Sequence, residues 1–393
     1  MAEKYDVGIV GSLCGFDLTL AEALSGRGLK CTVLRSREEE HTNRNVSGEI
    51  TPLATFFKHF DVASVDYFDS SVAFVRKATN CKLILSVTLG VLQGLKYLYP
   101  CKYLRSFPPI INITTGADIT ELIELKSLKG LLYRHHLRSS ALNWIAVYPH
   151  AIKNTIRFKL PNIAFMRLPY NVPDLGATNS DTGDELLFFH PTNLDWKVRN
   201  PGTRRNSSNG NDRFIKALAR AIQSGLKARC IILFRGHDRE EARMLIRDLG
   251  MADHFTFLPH LDRDALFEYF AAADVVVDQF DIGGMGGIAM EAMSAHRTVI
   301  TYINENCHRL LYGDDIPPVL NCWSEDEILA RILECRDREL LHRKGAQGHD
   351  WVRRNHHWSN CLDELLFYCS LLSGSVTEDY GWNESAYANN PDS

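Results

Sequence analysis

The residues best placed to do chemistry lie in one stretch, Asp274-Val-Val-Val-Asp-Gln-Phe-Asp-Ile-Gly-Gly-Met-Gly-Gly-Ile-Ala-Met-Glu-Ala-Met-Ser-Ala-His-Arg-Thr-Val-Ile300. An apolar strand runs into four glycines, Gly283, Gly284, Gly286 and Gly287, and then into a helix that bears Glu291 about one turn in. The first amides of a helix have no partner within it and sit at the positive end of its dipole, so a phosphate docks there. Glycines let the backbone approach such a group closely, and a carboxylate at Glu291 can accept hydrogen bonds from two ribose hydroxyls. The alternative is a glycine-rich crossover with a solvated Glu291. It accounts neither for the glycine density nor for the carboxylate's position, and ligands of open α/β sheets gather beyond the C-terminal ends of the strands.

Glu291-Ala-Met resembles the second half of a signature of retaining glycosyltransferases of the GT-B fold, group 1 or family 4-like and of bacterial type: Glu, seven residues, Glu, Ala-Met, strand. The resemblance extends through Phe189-His-Pro-Thr-Asn-Leu-Asp-Trp-Lys197, Gly210-Asn-Asp-Arg213, Arg235-Gly-His-Asp238 and Trp351-Val-Arg-Arg-Asn-His-His-Trp358, covering roughly residues 185 to 372. It implies that Glu291 binds the ribose of a nucleotide sugar and that the preceding glycine amides bind its phosphates. The first Glu of the signature falls at Gly283, which leaves Asp281 as a substitute at the sugar. A lysine that usually precedes the Gly210 motif is here Asn209, and Lys197, Arg199 and Arg213, or Arg204 and Arg205, stand in as cations for the diphosphate. Residues 197 to 216 hold six basic groups against Asp212 alone, although a solvated basic loop has the same composition. The resemblance also lays the base against Pro259, His260 and Leu261, with His260 equally readable as a surface residue.

Three further sets of residues have two readings each. Gly11-Ser-Leu-Cys-Gly15 follows a strand and opens a helix, so Gly11 and Gly15 suit an anion or an acceptor, but the complete Gly-x-Gly-x-x-Gly fingerprint is missing. Ile113-Thr-Thr-Gly-Ala-Asp-Ile119 resembles a Thr-Gly-Ser-Asp loop facing the interdomain cleft. Thr115 and Gly116 then lie on the acceptor side, and Asp118 either orients the acceptor hydroxyl or the donor sugar, or caps a helix from Thr120 to Leu125. Lys96-Tyr-Leu-Tyr-Pro-Cys-Lys-Tyr-Leu-Arg105 alternates bases with aromatics, a pattern read first as ordinary amphipathic packing and second as a membrane surface or a lipid-linked acceptor face. His135 and His136 read first as structural or solvated, and His356 and His357 as packing residues.

The elements that must position these groups follow an alternating strand and helix order. Strands are expected at Tyr5 to Val10, Lys30 to Leu34, Val62 to Val65, Lys82 to Leu85, Ile110 to Ile113, Trp144 to Val147 and Ile163 to Arg167. After the polar stretch Gly176 to Gly183 the order restarts with strands Leu186 to His190, Cys230 to Phe234, Phe255 to Leu258, Asp274 to Asp278 and Thr298 to Tyr302. Helices are expected at Arg213 to Ser224, Arg239 to Leu249, Asp262 to Ala272 and Gly287 to Ala295. A chain of 393 residues exceeds what a single core normally fills. The expected architecture is α/β of GT-B type: two Rossmann-like domains facing across a cleft. An acceptor-side domain spans 1–175 and a donor-binding domain 185–355; a helix at 356–373 crosses back to the first domain, and 374–393 is a disordered acidic tail.

A net charge of −4 from 44 basic and 48 acidic residues gives no global attraction to nucleic acid, so no nucleic-acid partner is expected. Ten cysteines without a Cys-x-x-Cys pair suggest reduced thiols rather than a zinc site, and the Asn-x-Ser/Thr triplets at Asn45, Asn112, Asn206 and Asn383 read as chance. The N-terminal stretch has no signal-peptide order, and no apolar run reaches spanning length. A cytoplasmic location is expected, peripheral at the inner face of a membrane if Lys96–Arg105 docks there.

The resemblance implies transfer of a sugar from a nucleotide-sugar donor to the hydroxyl of a glycan, lipid-linked or small-molecule acceptor, with retention, and with neither metal nor cofactor. The alternatives are a non-catalytic nucleotide-sugar or glycan-binding relative and a sugar-nucleotide epimerase.

Overall fold

The computed structural model describes residues 5–11, 16–36, 43–44, 50–51, 65–114, 116, 118–169, 183–197 and 208–372. The Gly176–Gly183 boundary stretch lies outside these but for Gly183, as do the acidic tail and most of the polar insertion after Lys197.

The first unit contains strands β1 (Tyr5–Val10), β2 (Cys31–Ser36), β3 (Asn43–Arg44), β4 (Ile50–Thr51), β5 (Val65–Phe68), β6 (Cys81–Val87), β7 (Ile110–Thr114), β8 (Leu142–Ile145) and β9 (Ile163–Phe165). Seven of them form one parallel sheet in the order β5-β2-β1-β6-β7-β8-β9, with β3 and β4 a separate antiparallel pair. Its helices are α1 (Phe16–Ser25), α2 (Ser71–Ala78), α3 (Gly90–Leu95), α4 (Leu128–Arg138) and α5 (Pro149–Arg157). The second unit holds β10 (Leu186–His190), β11 (Ala228–Leu233), β12 (Phe255–Leu258), β13 (Val275–Val277), β14 (Thr298–Thr301) and β15 (Leu320–Asn321), in the order β12-β11-β10-β13-β14-β15. Its helices are α6 (Asn211–Gln223), α7 (Arg239–Asp248), α8 (Arg263–Ala272), α9 (Gly287–Ser294), α10 (Glu305–Tyr312), α11 (Glu325–Glu334) and α12 (Arg338–His356), followed by α13 (Trp358–Leu372). Each sheet therefore reverses its strand order beside its first strand, which places a topological switch point, and a crevice, beyond β1/β6 and β10/β13.

The strands are apolar on both faces because helices cover both. Ile9, Leu83, Leu85 and Ile111 are buried against α1 on one side, and Val10, Ile84 and Ile110 pack with Phe74 and Val91 on the other. In the second unit Phe188, Val275 and Ile300 share a core with α6, while Phe189, Val276 and Val299 share one with α8 and α9. Asp262 caps α8 by accepting from the Ala265 amide at 2.9 Å, as its position in the sequence suggested. Helix α13 returns to the first unit: Leu362, Leu365 and Cys369 are buried among Val7, Leu18 and Leu24, and Arg27 pairs with Asp363 at 2.8 Å.

At the first unit's switch point the crevice is closed by backbone contact. Gly11 has φ +84°, and a Cβ there would lie 2.3 Å from the Val87 carbonyl and 2.8 Å from the Gly90 Cα. Gly90 in turn leaves only 2.1 Å between an added Cβ and the Val10 carbonyl. Gly11 thus lets α3 pack onto the end of β1, a close approach that accounts for the glycine without a ligand. Gly15 lies outside the described residues.

Burial also sets the acid sensitivity of the fold. His190, at the end of β10, is pushed down to about 3 by desolvation, and His308 and His356 to about 4, from an ordinary value of 6.5. Burial pushes Asp278 the other way, up to about 6 from 3.8. Between these values the unfolded chain binds more protons at each histidine, so stability is lost as the pH falls from 6.5 towards 4. Asp278 offsets part of that loss, because its folded form binds the proton first.

Two measurements test this packing. Gly90→Ala is expected to lower the unfolding free energy by about 1–3 kcal/mol, since rigid backbone faces the new methyl, and a denaturant midpoint equal to wild type would contradict the close approach. Urea midpoints taken from pH 7 down to pH 4.5 should fall, and the fall should be shallower in His308→Leu; parallel curves would mean that His308 is not buried as a neutral imidazole.

Candidate functional site

A cavity of about 610 Å³ lies between the units, walled by Gly116, Thr120 and Tyr148 of the first and by Gln279, Gly284 and Gly286 of the second. It sits beyond the C-terminal ends of the strands, at the second sheet's switch point. The wall from the second unit is the segment joining β13 to α9, and one side chain holds its shape. Buried Gln279 donates from Nε2 to the carbonyls of Gly284 (2.8 Å) and Tyr302 (3.0 Å) and accepts from the Ile282 amide at 2.6 Å. An amide is suited to this task because it donates and accepts from one planar group without needing a counter-charge. The sequence reading gave Gln279 no role; its place directly after a buried strand and before a glycine run was the available signal.

Three of the four glycines, Gly283, Gly284 and Gly286, have a steric reason. Gly283 has φ +73°, and a Cβ on it would stand 3.1 Å from Pro149 Cδ and 3.2 Å from the Tyr302 ring. A Cβ on Gly284 would stand 2.8 Å from Tyr148 Cβ. These two residues carry the second unit against the first, which is why no side chain occupies position 283. Gly286, the N-cap residue of α9, would place a Cβ 2.4 Å from Asp278 Oδ2 and offers no side chain to cap the helix, while the Ala289 amide in its first turn meets the Asp278 carboxylate from below. Asp278 is itself anchored by the Thr192 hydroxyl, which donates to Oδ1 at 2.8 Å across the switch point. Glu291 is half-buried on α9, while its neighbour Met290 lines the cavity.

Asp281 lines the cavity, and its carboxylate is engaged by the Arg213 guanidinium, which also donates to the Phe280 carbonyl at 3.3 Å and lies 5.5 Å over the Trp323 ring. The two residues read separately in the sequence, one for the sugar and one for the diphosphate, form a single ion pair at the cavity edge. Lys197 is turned away: its ammonium donates to Glu241 at 3.2 Å and its amide to Asp238 at 2.9 Å. The pairing holds it on the α7 side, away from the residues that wall the cavity. Asn209 donates to the Asn193 carbonyl at 2.8 Å and accepts the Phe280 amide on its carbonyl at 2.8 Å, so it ties the loop instead of supplying charge. Arg199, Arg204 and Arg205 lie outside the described residues. Pro259 and His260 are exposed beyond β12, and Leu261 packs on the α8 side of the core; none of the three lines the cavity.

On the first unit's wall, Gly116 lines the cavity, and Thr115 lies outside the described residues. Asp118 is buried, and its Oδ1 accepts from the amides of Gly116 (2.9 Å) and Ile119 (3.0 Å) at the head of a π-helical turn, Asp118–Leu122. These are not the amides of the second or third helical residue that an N-cap accepts, so Oδ1 braces the loop itself instead of capping a helix at Thr120. Tyr148 donates to the Gly116 carbonyl at 3.0 Å and braces the same loop from the other side.

A group that sequence reasoning missed closes the cavity from α10 and α12. The Tyr312 hydroxyl meets His356 Nε2 at 2.8 Å, and His356 Nδ1 meets the Leu168 carbonyl at 2.8 Å. A carbonyl only accepts, so Nδ1 carries the proton, and Nε2 accepts from the tyrosine. This chain runs from the second unit through α12 into the first. His308, one turn before Tyr312, stacks on it at 5.8 Å; burial holds its imidazole neutral, with the Gly283 backbone opposing the effect. The i, i+4 spacing of His308 and Tyr312 put both on one helix face, but nothing in the sequence placed that face on the cavity. Among the described residues, no group of three or more His, Cys, Asp or Glu side chains is placed to hold a metal ion.

Residues 203–311 match the family model for glycosyl transferases group 1. GDP-mannose-dependent alpha-(1-6)-phosphatidylinositol monomannoside mannosyltransferase from two Mycobacterium tuberculosis strains is similar at 28% identity over 166 residues, or 40% of this chain. The match spans 43% of the length of these curated relatives. An Anabaena protein, HepE, solved in complex with UDP and glucose, superposes with a TM-score of 0.68 at 14% identity, covering 93% of this chain and 99% of its own. Sucrose-phosphate synthase from Thermosynechococcus elongatus superposes with a TM-score of 0.60 at 14% identity, covering 94% and 99%, and a Rickettsia africae glycosyltransferase with 0.62 at 12%, covering 95% and 99%. The fold is GT-B, and within it residues 203–311 are similar to the glycosyl transferases group 1 model.

Proposed function

We propose that the protein moves a glycosyl residue from a nucleotide-sugar donor to the hydroxyl of a glycan, lipid-linked or small-molecule acceptor, with retention of configuration and with neither metal nor cofactor. The observation that carries this reading is the glycine loop between β13 and α9, tethered by Gln279 and opening onto a cavity shared by both units. Its position matches the phosphate-binding terminus of a doubly wound sheet, where helix-start amides meet an anion. The mannosyltransferase relatives support a nucleotide-activated mannose as one donor to be tried first, and the UDP seen with HepE supports a uridine donor as another.

The reaction asks the site for two things. Breaking the bond between the anomeric carbon and the phosphate oxygen builds charge on the departing diphosphate, and fixed donors facing it lower the barrier. In this reading the α9 amides supply dipoles, and Arg213, held by Asp281 and Trp323, supplies a cation at the cavity edge. The activated sugar must also be kept from water, which a cavity walled by two units achieves when they are held together. Tyr148, Pro149 and the Tyr312–His356–Leu168 chain are the contacts that hold them.

A non-catalytic nucleotide-sugar binder remains the competing reading, favoured by the glycine at position 283 and by the commitment of Asp281 to Arg213. Titration calorimetry with UDP, GDP and their sugars, followed by product analysis with and without an acceptor, separates the two, because a binder gives heat and no product. Glu291→Ala is expected to weaken nucleotide binding by about 1.5–3 kcal/mol, the range for hydrogen bonds to a charged group, with the native circular dichroism retained. An affinity equal to wild type would remove Glu291 from the ribose.

A further inference from the structure

Helix α4 carries an apolar stripe on the side that faces away from its own unit. Leu128, Leu131 and Leu132 are 70%, 56% and 38% exposed, whereas Gly130, Tyr133, His136 and Leu137 are buried on the opposite side. At positions i, i+3, i+4 and i+7 the exposed stripe continues to His135. An ordinary surface helix has this pattern reversed, with its large aliphatic residues turned inward.

The stripe does not end with the helix. His135 Nδ1 meets the Tyr103 hydroxyl at 3.0 Å, which brings the 3-10 segment Lys96–Tyr103 alongside α4. Lys102 locks the two together from beneath, donating to Ser139 at 2.7 Å and meeting His136 Nδ1 at 3.2 Å. Tyr103 and Leu104, 55% and 51% exposed, thereby extend the apolar surface of the three leucines. Exposed Lys96, Arg105, Lys126, Lys129 and Arg138 come from the same two stretches, and residues 96–117 and 125–141 contain no aspartate or glutamate. In a chain whose net charge is −4, this is a local concentration of positive charge around exposed leucines and an aromatic ring.

We propose that this face docks on an anionic phospholipid surface. Leucines and a tyrosine reach the acyl boundary, and the surrounding lysines and arginines meet the head-group phosphates, a division of labour that neither a nucleic acid nor a neutral glycan would reward. The cavity lies close by along the chain: Gly116, Thr120 and Glu121 line it, and the π-helical turn Asp118–Leu122 leads to Ser127, the cap of α4. The docking is independent of the transfer reading and is tested without any sugar nucleotide.

Co-sedimentation of the full chain with vesicles of phosphatidylcholine alone, and of phosphatidylcholine with phosphatidylglycerol, tests it. Binding is expected to the anionic vesicles only and to weaken as salt is raised. Leu128→Ser/Leu131→Ser and Lys126→Glu/Lys129→Glu should each weaken it by about tenfold or more. These four side chains are exposed, so circular dichroism and the melting temperature should match wild type and exclude misfolding as the cause. Three results would overturn the proposal: no vesicle binding, equal binding to both vesicle types, or binding that both variants retain. A concentration-dependent dimer in sedimentation equilibrium that the leucine variant abolishes would also overturn it, and would assign the face to a second copy of the chain.

Discussion

Gly284 rests against Tyr148 at a distance that excludes a side chain, and Gly283 beside it packs closely on Pro149 with a left-handed backbone; the width and shape of the cavity follow from that contact. Because backbone meets side chain there, the second unit can bring the start of α9 up to the first unit's wall. The loop reaches this position with a left-handed residue at 283, a conformation open to glycine at little cost. Gln279 holds the loop by three hydrogen bonds and Asn209 ties it to the chain after β10, so the approach is fixed by neutral groups whose bonds do not depend on pH.

Charge around the cavity is distributed with the same economy. The described wall includes a neutral imidazole at His308, a tyrosine–histidine chain at Tyr312 and His356, the carboxylate of Glu121, His150 paired with Glu124, and the ion pair of Arg213 with Asp281 at its edge. An uncompensated buried cation would be costly before a ligand arrived, whereas a pair at a half-open edge can exchange its carboxylate for a phosphate. Asp278 behaves differently. It is buried beneath Gly286 and its carboxyl is raised to about 6, so near neutral pH it sits close to its titration point, directly under the loop.

The two units share a strand order but differ in what their switch points do. In the second, Thr192 and Asp278 join across the reversal and leave the crevice open to the cavity. In the first, Gly11 and Gly90 close it by backbone contact, and the wall is instead built from the loop after β7, where Asp118 gathers the amides of Gly116 and Ile119. Helix α13 then returns to the first sheet with Leu362 and Leu365, so the end of the described chain belongs to the core of its beginning.

Much of this was legible along the chain. Leu186–His190 and Phe255–Leu258 are strands over the very residues their apolar runs marked, and the glycine loop before Glu291 stood out by composition alone. Local sequence determined the alternation of strand and helix, the two-sheet α/β class and the cap at Asp262, because hydrophobic period and capping act over a few residues. Tertiary structure alone decided that Arg213 and Asp281, 68 residues apart, form one pair and that Lys197 turns to Glu241. It also decided that Gly11 packs on Gly90 and that Leu168, Tyr312 and His356 meet at one corner of the cavity. Those contacts depend on where distant segments converge once both cores are packed, a distance no periodicity or motif spacing encodes.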